Sequence, residues 1–227
     1  MKFRHALIMA AGRGQRMMPL TKDTPKAMMV HDGSTLIANG IEKLKGFIDN
    51  IHITVGYKGA TLAKHVIEHN VRTIFNTDGK GNAWWIFNTL LKNVDEPVLV
   101  LTCDNVVELD ADQLMNDYLE KQNPACMVIP VKPINGLEGD YIFHKDGIVY
   151  ELNRNRPSEF YCSGIQIMNP AKINTLISPT EDFYNVWNDL IKLKELSCSS
   201  VYPKNWFTVD TISQLELLNS NKAHHNP

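Results

Sequence analysis

The chain has 227 residues, is 44% hydrophobic and 21% charged, and carries a formal net charge of -2. This length suits one substantial domain with its own core, and the charge balance lacks the basic footprint of a nucleic-acid partner. No apolar run reaches the roughly 20 residues of a membrane span, and the first strand begins without a signal-peptide pattern, so a cytoplasmic protein is expected.

Taken in order, residues 6–10 form a short apolar run that predicts a buried strand breaking into a glycine-rich turn. Residues 30–33 read as a turn, and 34–47 have helical spacing with Leu36, Ile37, Ile41, Leu44 and Phe47 on one side. A strand at 51–55 is punctuated by Gly56-Tyr57-Lys58-Gly59, followed by a helix at 61–68 and a strand at 71–75. A polar loop at 76–80 leads to a helix at 82–91. Residues 97–101 (PVLVL) then make a continuous apolar strand, the kind buried on both faces of a parallel sheet.

After a helix at 110–121 the texture changes. Strands are expected at 126–131, 140–144, 148–152 and 160–168, separated by turns at Asn135-Gly136 and Asp146-Gly147 and a loop at 153–158. Residues around Lys145-Asp146-Gly147 suit a hairpin. A helix at 182–193, late strand signals at Val201 and 206–209, and a helix at 212–219 complete the chain, with 220–227 expected as a frayed tail. Strands alternating with helices are the signature of an α/β, Rossmann-like doubly wound, mostly parallel sheet with helices on both faces. We therefore expect a single domain over 1–220, with a first half at about 1–121 and a smaller mixed β region, placed to cover one side of a ligand cleft, at about 122–220.

Ligands of such sheets bind beyond the carboxyl ends of the strands, where two loops stand out. The first holds Gly12, Gly14, Arg16 and Pro25-Lys26. Glycine lets backbone N–H groups approach a phosphate, and the arginine and lysine add complementary positive charge. The second, after the PVLVL strand, carries Asp104, whose simplest role is to bind Mg²⁺ together with phosphate oxygens. Cys103, Cys126, Cys162 and Cys198 show no CxxC pairing, which leaves buried free thiols as the expectation.

These residues resemble the nucleotidyltransferase superfamily that makes nucleotide-activated sugars and alcohols. Its pattern, AAGxGxRxxPLTxxxPK after an apolar strand, runs here without a gap from Ala10 and Ala11 through Gly12, Gly14 and Arg16 to Pro25-Lys26. Asp104 and Asp210, the latter in Trp206-Phe207-Thr208-Val209-Asp210-Thr211, match the two metal-binding aspartates, and Ser163-Gly164-Ile165 resembles a substrate-side strand. The resemblance implies Mg²⁺-dependent transfer of NMP from a nucleoside triphosphate to a sugar 1-phosphate, with pyrophosphate leaving and no covalent enzyme intermediate. It assigns Ala10, Ala11, Gly12, Gly14 and Asn82 to the nucleotide, Arg16 and Lys26 to catalysis, and Asp104 and Asp210 to the metal. Gly139, Arg154, Ser163 and Gly164 are assigned to the acceptor. The partners implied are a nucleoside triphosphate and a phosphorylated small molecule, and a homodimer is compatible with the family.

Two departures bear on specificity. Many relatives approach the base with a GTAG-like segment, whereas this chain has Gly79-Lys80-Gly81-Asn82-Ala83, in which the Asn82 amide could read a base edge. Relatives often place a lysine after a Val-x-x-Glu-type strand; Arg154 stands near that place and takes either a phosphate-binding role or none. Trp84, Trp85 and Phe87, with Trp187 and Tyr184, could form an aromatic cage for a choline-like cation or could be ordinary core. Such a cage would support the alternative of a cytidylyltransferase acting on phosphocholine or another phospho-alcohol.

Other readings compete. A dinucleotide site needs a third glycine and an acidic residue ending the second strand, and both are missing. A catalytically silent nucleotide-binding relative would not need Arg16, Lys26, Asp104 and Asp210 together. Asp210 followed by Thr211 also reads as an N-cap for the last helix. His224 and His225, at the tail, support no site.

Overall fold

The computed structural model describes residues 2–134 and 139–223. The first apolar run forms β1 (His5–Ala10), whose alternate residues enter two different cores. Ala6, Ile8 and Ala10 pack on one face of the sheet, and Leu7 and Met9 on the other. This is what period-two side chains require when both faces are covered. Leu7 is wholly buried, worth about 2 kcal/mol relative to exposure. The loop then makes two 3-10 turns, Gln15–Met17 and Lys26–Met28, before the short ribbon β2 (Val30–His31) and β3 (Ser34–Thr35).

Thr35 ends that ribbon and caps α1 (Leu36–Lys45), its hydroxyl accepting from Ala38 N–H at 3.2 Å. β4 (Asn50–Val55), α2 (Gly59–Ile67) and β5 (Thr73–Asn76) follow close to the expected order. The helix expected at 82–91 is broken. α3 (Trp84–Asn88) stops at Thr89, which is extended, and a 3-10 turn at Leu90–Asn93 starts afresh on the Thr89 hydroxyl.

β6 (Val98–Thr102) again alternates between cores, with Leu99 and Leu101 on one face and Val98 and Val100 on the other. β7 (Asn105–Glu108) follows at once, a strand that the sequence pattern does not show. Then come α4 (Ala111–Glu120), β8 (Cys126–Val131), β9 (Tyr141–Lys145), β10 (Ile148–Asn153) and β11 (Phe160–Met168). β9 and β10 form the expected hairpin, with positive φ at Asp146 and Gly147 and Lys145 opposite Ile148. The turn expected at Asn135-Gly136 lies outside the described residues.

α5 (Pro170–Leu176) and α6 (Phe183–Lys192) precede β12 (Leu196–Cys198), β13 (Asn205–Thr208) and α7 (Ile212–Ala223). Val201 is not in a strand. Ahead of it the backbone leaves the sheet, where Ser199 Oγ and Ser200 N donate to the buried Asp117 carboxylate at 2.6 and 3.1 Å. α7 also runs into the expected tail as far as Ala223, while residues 224–227, with His224 and His225, lie outside the description.

Among the described residues the main sheet has nine strands, in the order β5-β4-β1-β6-β11-β8-β12-β10-β9, with β9 also pairing with β11. β10 and β11 run against the others, giving a mostly parallel sheet with a mixed region on the side expected to face the acceptor. Strand order reverses beside β1, so the loops after β1 and β6 flank the switch-point crevice. No helix among the described residues is long and apolar enough to cross a membrane. All four cysteines are free, Cys126 and Cys198 fully buried.

Candidate active site

A cleft of about 830 Å³ opens at this switch point, in the size range of small-molecule sites. Its walls come from the loop after β1, the turn after β6, the loop at 77–82, and Asp210. Met9 lies opposite Thr102 in the ladder, and Cys103 N–H donates to the Met9 carbonyl at 3.0 Å, which keeps the first two loops side by side.

Gly14 shapes the first loop. It is left-handed (φ 61°), and a Cβ there would stand 2.8 Å from Lys26 Cβ, so glycine alone lets the loop fold onto the lysine. Thr21 Oγ1 locks that contact by donating to the Gly14 carbonyl at 2.8 Å. The β4–α2 turn braces it from outside: Tyr57 N–H donates to the Ala11 carbonyl at 3.0 Å, and Tyr57 Oη to the Lys22 carbonyl at 2.5 Å. Arg13 lies over the Tyr57 ring, 5.2 Å from its centroid. Sequence spacing marked Gly56-Tyr57 only as punctuation.

The amides of Gly12 and Gly14 donate to no protein group among the described residues and border the cleft. Ala11 also borders it. Ala10 does not, because it is buried below the loop and its N–H is spent on Thr54 Oγ1 at 3.1 Å.

Lys26 is the electrostatic centre. Its Nζ lies 2.5 Å from Asp104 Oδ2 and 2.6 Å from Asp210 Oδ1, and Arg16 Nη2 reaches the same Asp210 oxygen at 2.9 Å. Burial works against the ammonium, but the negative charge of Asp104 and the hydrogen bonds that the ammonium donates to both carboxylates outweigh it and raise the Lys26 pKa. Burial likewise opposes charge on Asp210, yet Lys26 and Arg16 hold its carboxyl below the usual range. Asp104 shares the same lysine.

Asp210 reaches Asp104 through the ribbon β7–β13, in which Thr208 faces Asn105 and Val209 N–H donates to the Asp104 carbonyl at 3.1 Å. Trp206 Nε1 fastens the ribbon to β11, donating to Asn105 Oδ1 at 2.8 Å and the Ser163 carbonyl at 2.9 Å. The rival role of Asp210 as helix cap is filled by its neighbour. Thr211 Oγ1 accepts from Gln214 N–H at 3.3 Å, and Gln214 Oε1 reaches back to the Asp210 and Thr211 amides at 2.7 and 2.9 Å. That is a capping box, and it leaves the Asp210 carboxylate to face the cleft.

Two carboxylates fit a magnesium site better than a closed protein cage, since Mg²⁺ characteristically takes one or two carboxylates plus substrate phosphates. No cluster of three or more His, Cys, Asp or Glu occurs among the described residues. Asp104 Oδ1 is buried and accepts from no protein group among those residues. A buried carboxylate oxygen with spare lone pairs beside a second carboxylate is a donor set suited to a hard cation.

The acceptor-side residues are dispersed. Ser163 is buried with its hydroxyl engaged inside the sheet, donating to the Ile129 carbonyl at 2.7 Å and accepting from Ile165 N–H at 3.1 Å. Gly164 packs on Thr102 and Asn105, near the cleft. Gly139 packs on the Tyr161 ring, and Arg154 Nε pairs with Asp140 at 3.3 Å while staying largely exposed. Neither Gly139 nor Arg154 is on the wall of the cleft that holds Lys26. Tyr161, which spacing did not single out, has a buried hydroxyl with no hydrogen-bond partner among the described residues.

The aromatic cage does not assemble. Phe87 is buried in the core, Trp85 is buried and borders the cleft from the core side, Trp84 lines a separate groove with Lys80 over its ring, and Trp187 stacks on Phe183 and donates to Gln166. Successive helical positions point in different directions, which disperses the three rings of α3.

Residues 5–141 match the family model described as nucleotidyl transferase. The chain belongs to the nucleotidyl transferase family. Among curated relatives it is 31% identical over 113 residues to the bifunctional protein GlmU of Methanocaldococcus jannaschii, covering 48% of this chain and 27% of that protein. It is 25% identical over 206 residues to the mannose-1-phosphate guanyltransferase of Debaryomyces hansenii, covering 84% of this chain and 57% of that protein. The matched regions thus span about a quarter to a little over half of those relatives. The fold matches a putative glucose-1-phosphate thymidylyltransferase from Bacillus anthracis with a TM-score of 0.78 at 18% identity, covering 99% and 97% of the two chains. It also matches a CTP:phosphocholine cytidylyltransferase from Streptococcus pneumoniae with a TM-score of 0.75 at 21% identity, covering 98% and 100%.

Proposed function

We propose that this protein transfers a nucleotidyl group from a nucleoside triphosphate to a sugar 1-phosphate, releasing pyrophosphate. The observation that carries this reading is the Lys26 ammonium held by Asp104 and Asp210, with Arg16 alongside, at the carboxyl ends of β1 and β6. In-line attack of a phosphate oxygen on the α-phosphorus brings two anions together, so the protein's task is to position them and neutralise charge. The free amides of Gly12 and Gly14 suit the triphosphate, and Arg16 suits the departing pyrophosphate. Lys26 would lie between the reacting phosphates. Asp104 and Asp210 would hold Mg²⁺, whose chemistry is to clamp phosphate oxygens and offset their charge.

The sugar acceptor is supported by the relative aligned over most of this chain, which acts on mannose 1-phosphate by its name. Dispersal of the aromatic cage removes the main sequence argument for a choline-like acceptor. Pyrophosphate release, assayed with Mg²⁺ over a panel of nucleoside triphosphates and acceptors, tests the proposal. Turnover confined to CTP and phosphocholine would replace the sugar acceptor with a phospho-alcohol. Nucleotide binding without turnover on any acceptor would favour a silent relative.

A further inference from the structure

A second cavity, of about 280 Å³, lies between α1 and β7. Its walls are mostly apolar, Ile8, Ile37, Leu44 and Leu101 among them. Thr102 and Cys103 border both this cavity and the cleft, so the segment that runs into Asp104 is a wall of each.

Gly40 helps to keep the space open. It sits in the interior of α1, where glycine is costly relative to alanine. Nothing in its surroundings demands glycine: a Cβ there would meet nothing nearer than Ile8 Cδ1 at 3.8 Å, an ordinary contact. An alanine would fit and would strengthen the helix, whereas glycine leaves the volume unfilled.

The lining also selects the occupant. A buried water needs about two to four polar partners, and the polar side chains here are already engaged. Asn39 Nδ2 donates to the His31 carbonyl at 2.7 Å and Lys43 Nζ to the Val107 carbonyl at 3.2 Å. Asn105 Nδ2 donates to Thr102 Oγ1, and its Oδ1 accepts from Trp206 Nε1. The two charged residues of the lining, Lys43 and Glu108, are exposed and opposite in sign, which favours neither an anion nor a cation. An apolar cavity of about 150 Å³ takes up benzene, so nearly twice that volume suits a fused bicycle.

We propose that this cavity is an effector site for an uncharged, compact, largely apolar molecule the size of a fused bicycle. Its occupant acts on the cleft through the Thr102–Cys103 wall and the β7–β13 ribbon. β7 lines the cavity through Val106 and Val107 and pairs with the strand that leads to Asp210. A molecule that prefers one position of that ribbon changes the affinity of whatever the aspartates hold, and the effect is reciprocal. Only this coupling rests on the function proposed above; the site itself does not.

The probe is 1-methylindole, an uncharged bicycle without a hydrogen-bond donor, titrated into the full chain by calorimetry and NMR. It should bind saturably, with intermolecular Overhauser contacts to the methyls of Ile8, Leu44 and Leu101. Gly40→Leu should weaken it about tenfold or more, because the new side chain takes the same space. Gly40→Ala should raise Tm by about 2–4 °C through helix propensity and weaken the probe by about twofold or more. Saturating 1-methylindole should change the affinity for Mg²⁺ tripolyphosphate by about fivefold or more, and bound Mg²⁺ tripolyphosphate should change that of the probe by the same factor.

Absence of saturable binding, or contacts to methyls elsewhere, overturns the site. Equal affinity in wild type and Gly40→Leu overturns it too, and if Gly40→Leu does not fold, unchanged affinity in Gly40→Ala does the same. Bound probe with unchanged Mg²⁺ tripolyphosphate affinity overturns the effector role. If the probe binds as stated while the chain binds no Mg²⁺ tripolyphosphate, the function proposed above fails together with the coupling, and the ligand site stands.

Discussion

Lys26 Nζ lies 2.6 Å from Asp210 Oδ1, joining the first loop of the chain to the start of its last helix. The same ammonium reaches Asp104 at 2.5 Å, so one cation holds two carboxylates that the chain supplies from distant elements. Removing it should damage both stability and chemistry. Lys26→Met should lower kcat by roughly 10²- to 10³-fold, the scale for losing one preorganised charge. It should also cost about 3 kcal/mol in the absence of metal, because Asp104 loses the lysine that neutralises it while Asp210 keeps Arg16, and Mg²⁺ should recover part of that loss. Pyrophosphate release and thermal melts with and without Mg²⁺ check both effects.

Asp104→Asn tests the metal assignment. An amide is a far weaker ligand than a carboxylate for a hard cation, so half-maximal activity should need at least about tenfold more Mg²⁺. The titration of activity against Mg²⁺ reads this directly. An unshifted curve would take Asp104 out of the metal site.

The capping box makes a separable prediction for the final helix. Thr211→Ala should cost about 1 kcal/mol, which in a chain of this size lowers Tm by about 2–4 °C. The Asp210 pairs with Lys26 and Arg16 do not run through that hydroxyl, so kcat should stay within about twofold of wild type. A large drop in kcat would mean that the cap positions the carboxylate.

His52, on β4, predicts an acid-side stability loss unrelated to catalysis. Burial, the neighbouring His5 and Arg72 lower its pKa from 6.5 to about 4. Between those values the unfolded chain binds a proton that the folded chain refuses, so stability is complete above about 6.5 and falls as pH drops toward 4. The gap corresponds to at most about 3 kcal/mol. Urea midpoints measured from pH 7 to pH 4.5 should flatten in His52→Asn, whereas a slope equal to wild type would place the proton uptake elsewhere.

Much of the molecule is written in local patterns. The apolar runs at β1 and β6, the turn at Asp146-Gly147 and the glycine loop follow from periodicity and turn chemistry, which neighbouring residues determine among themselves. Asp104 could be marked because it leaves a doubly buried strand in the right direction. The break at Thr89 and the strand β7 were not legible, since one hydroxyl decides the first and a distant partner decides the second.

The sequence by itself therefore determined that the chain would make a glycine-rich loop on a doubly wound sheet, and which charged residues that loop would carry. Only the tertiary structure decided which of them meet. β7 is four residues long and pairs with β13 from the far end of the chain, and that ribbon brings Asp210 onto Lys26. The same long-range packing turned Ser163 inward, scattered Trp84, Trp85 and Phe87, and tied the Asn82 amide oxygen, at the border of the cleft, to Phe183 N–H. Turns and periodicities are short-range properties of the backbone, whereas these placements depend on contacts between segments that no local pattern relates.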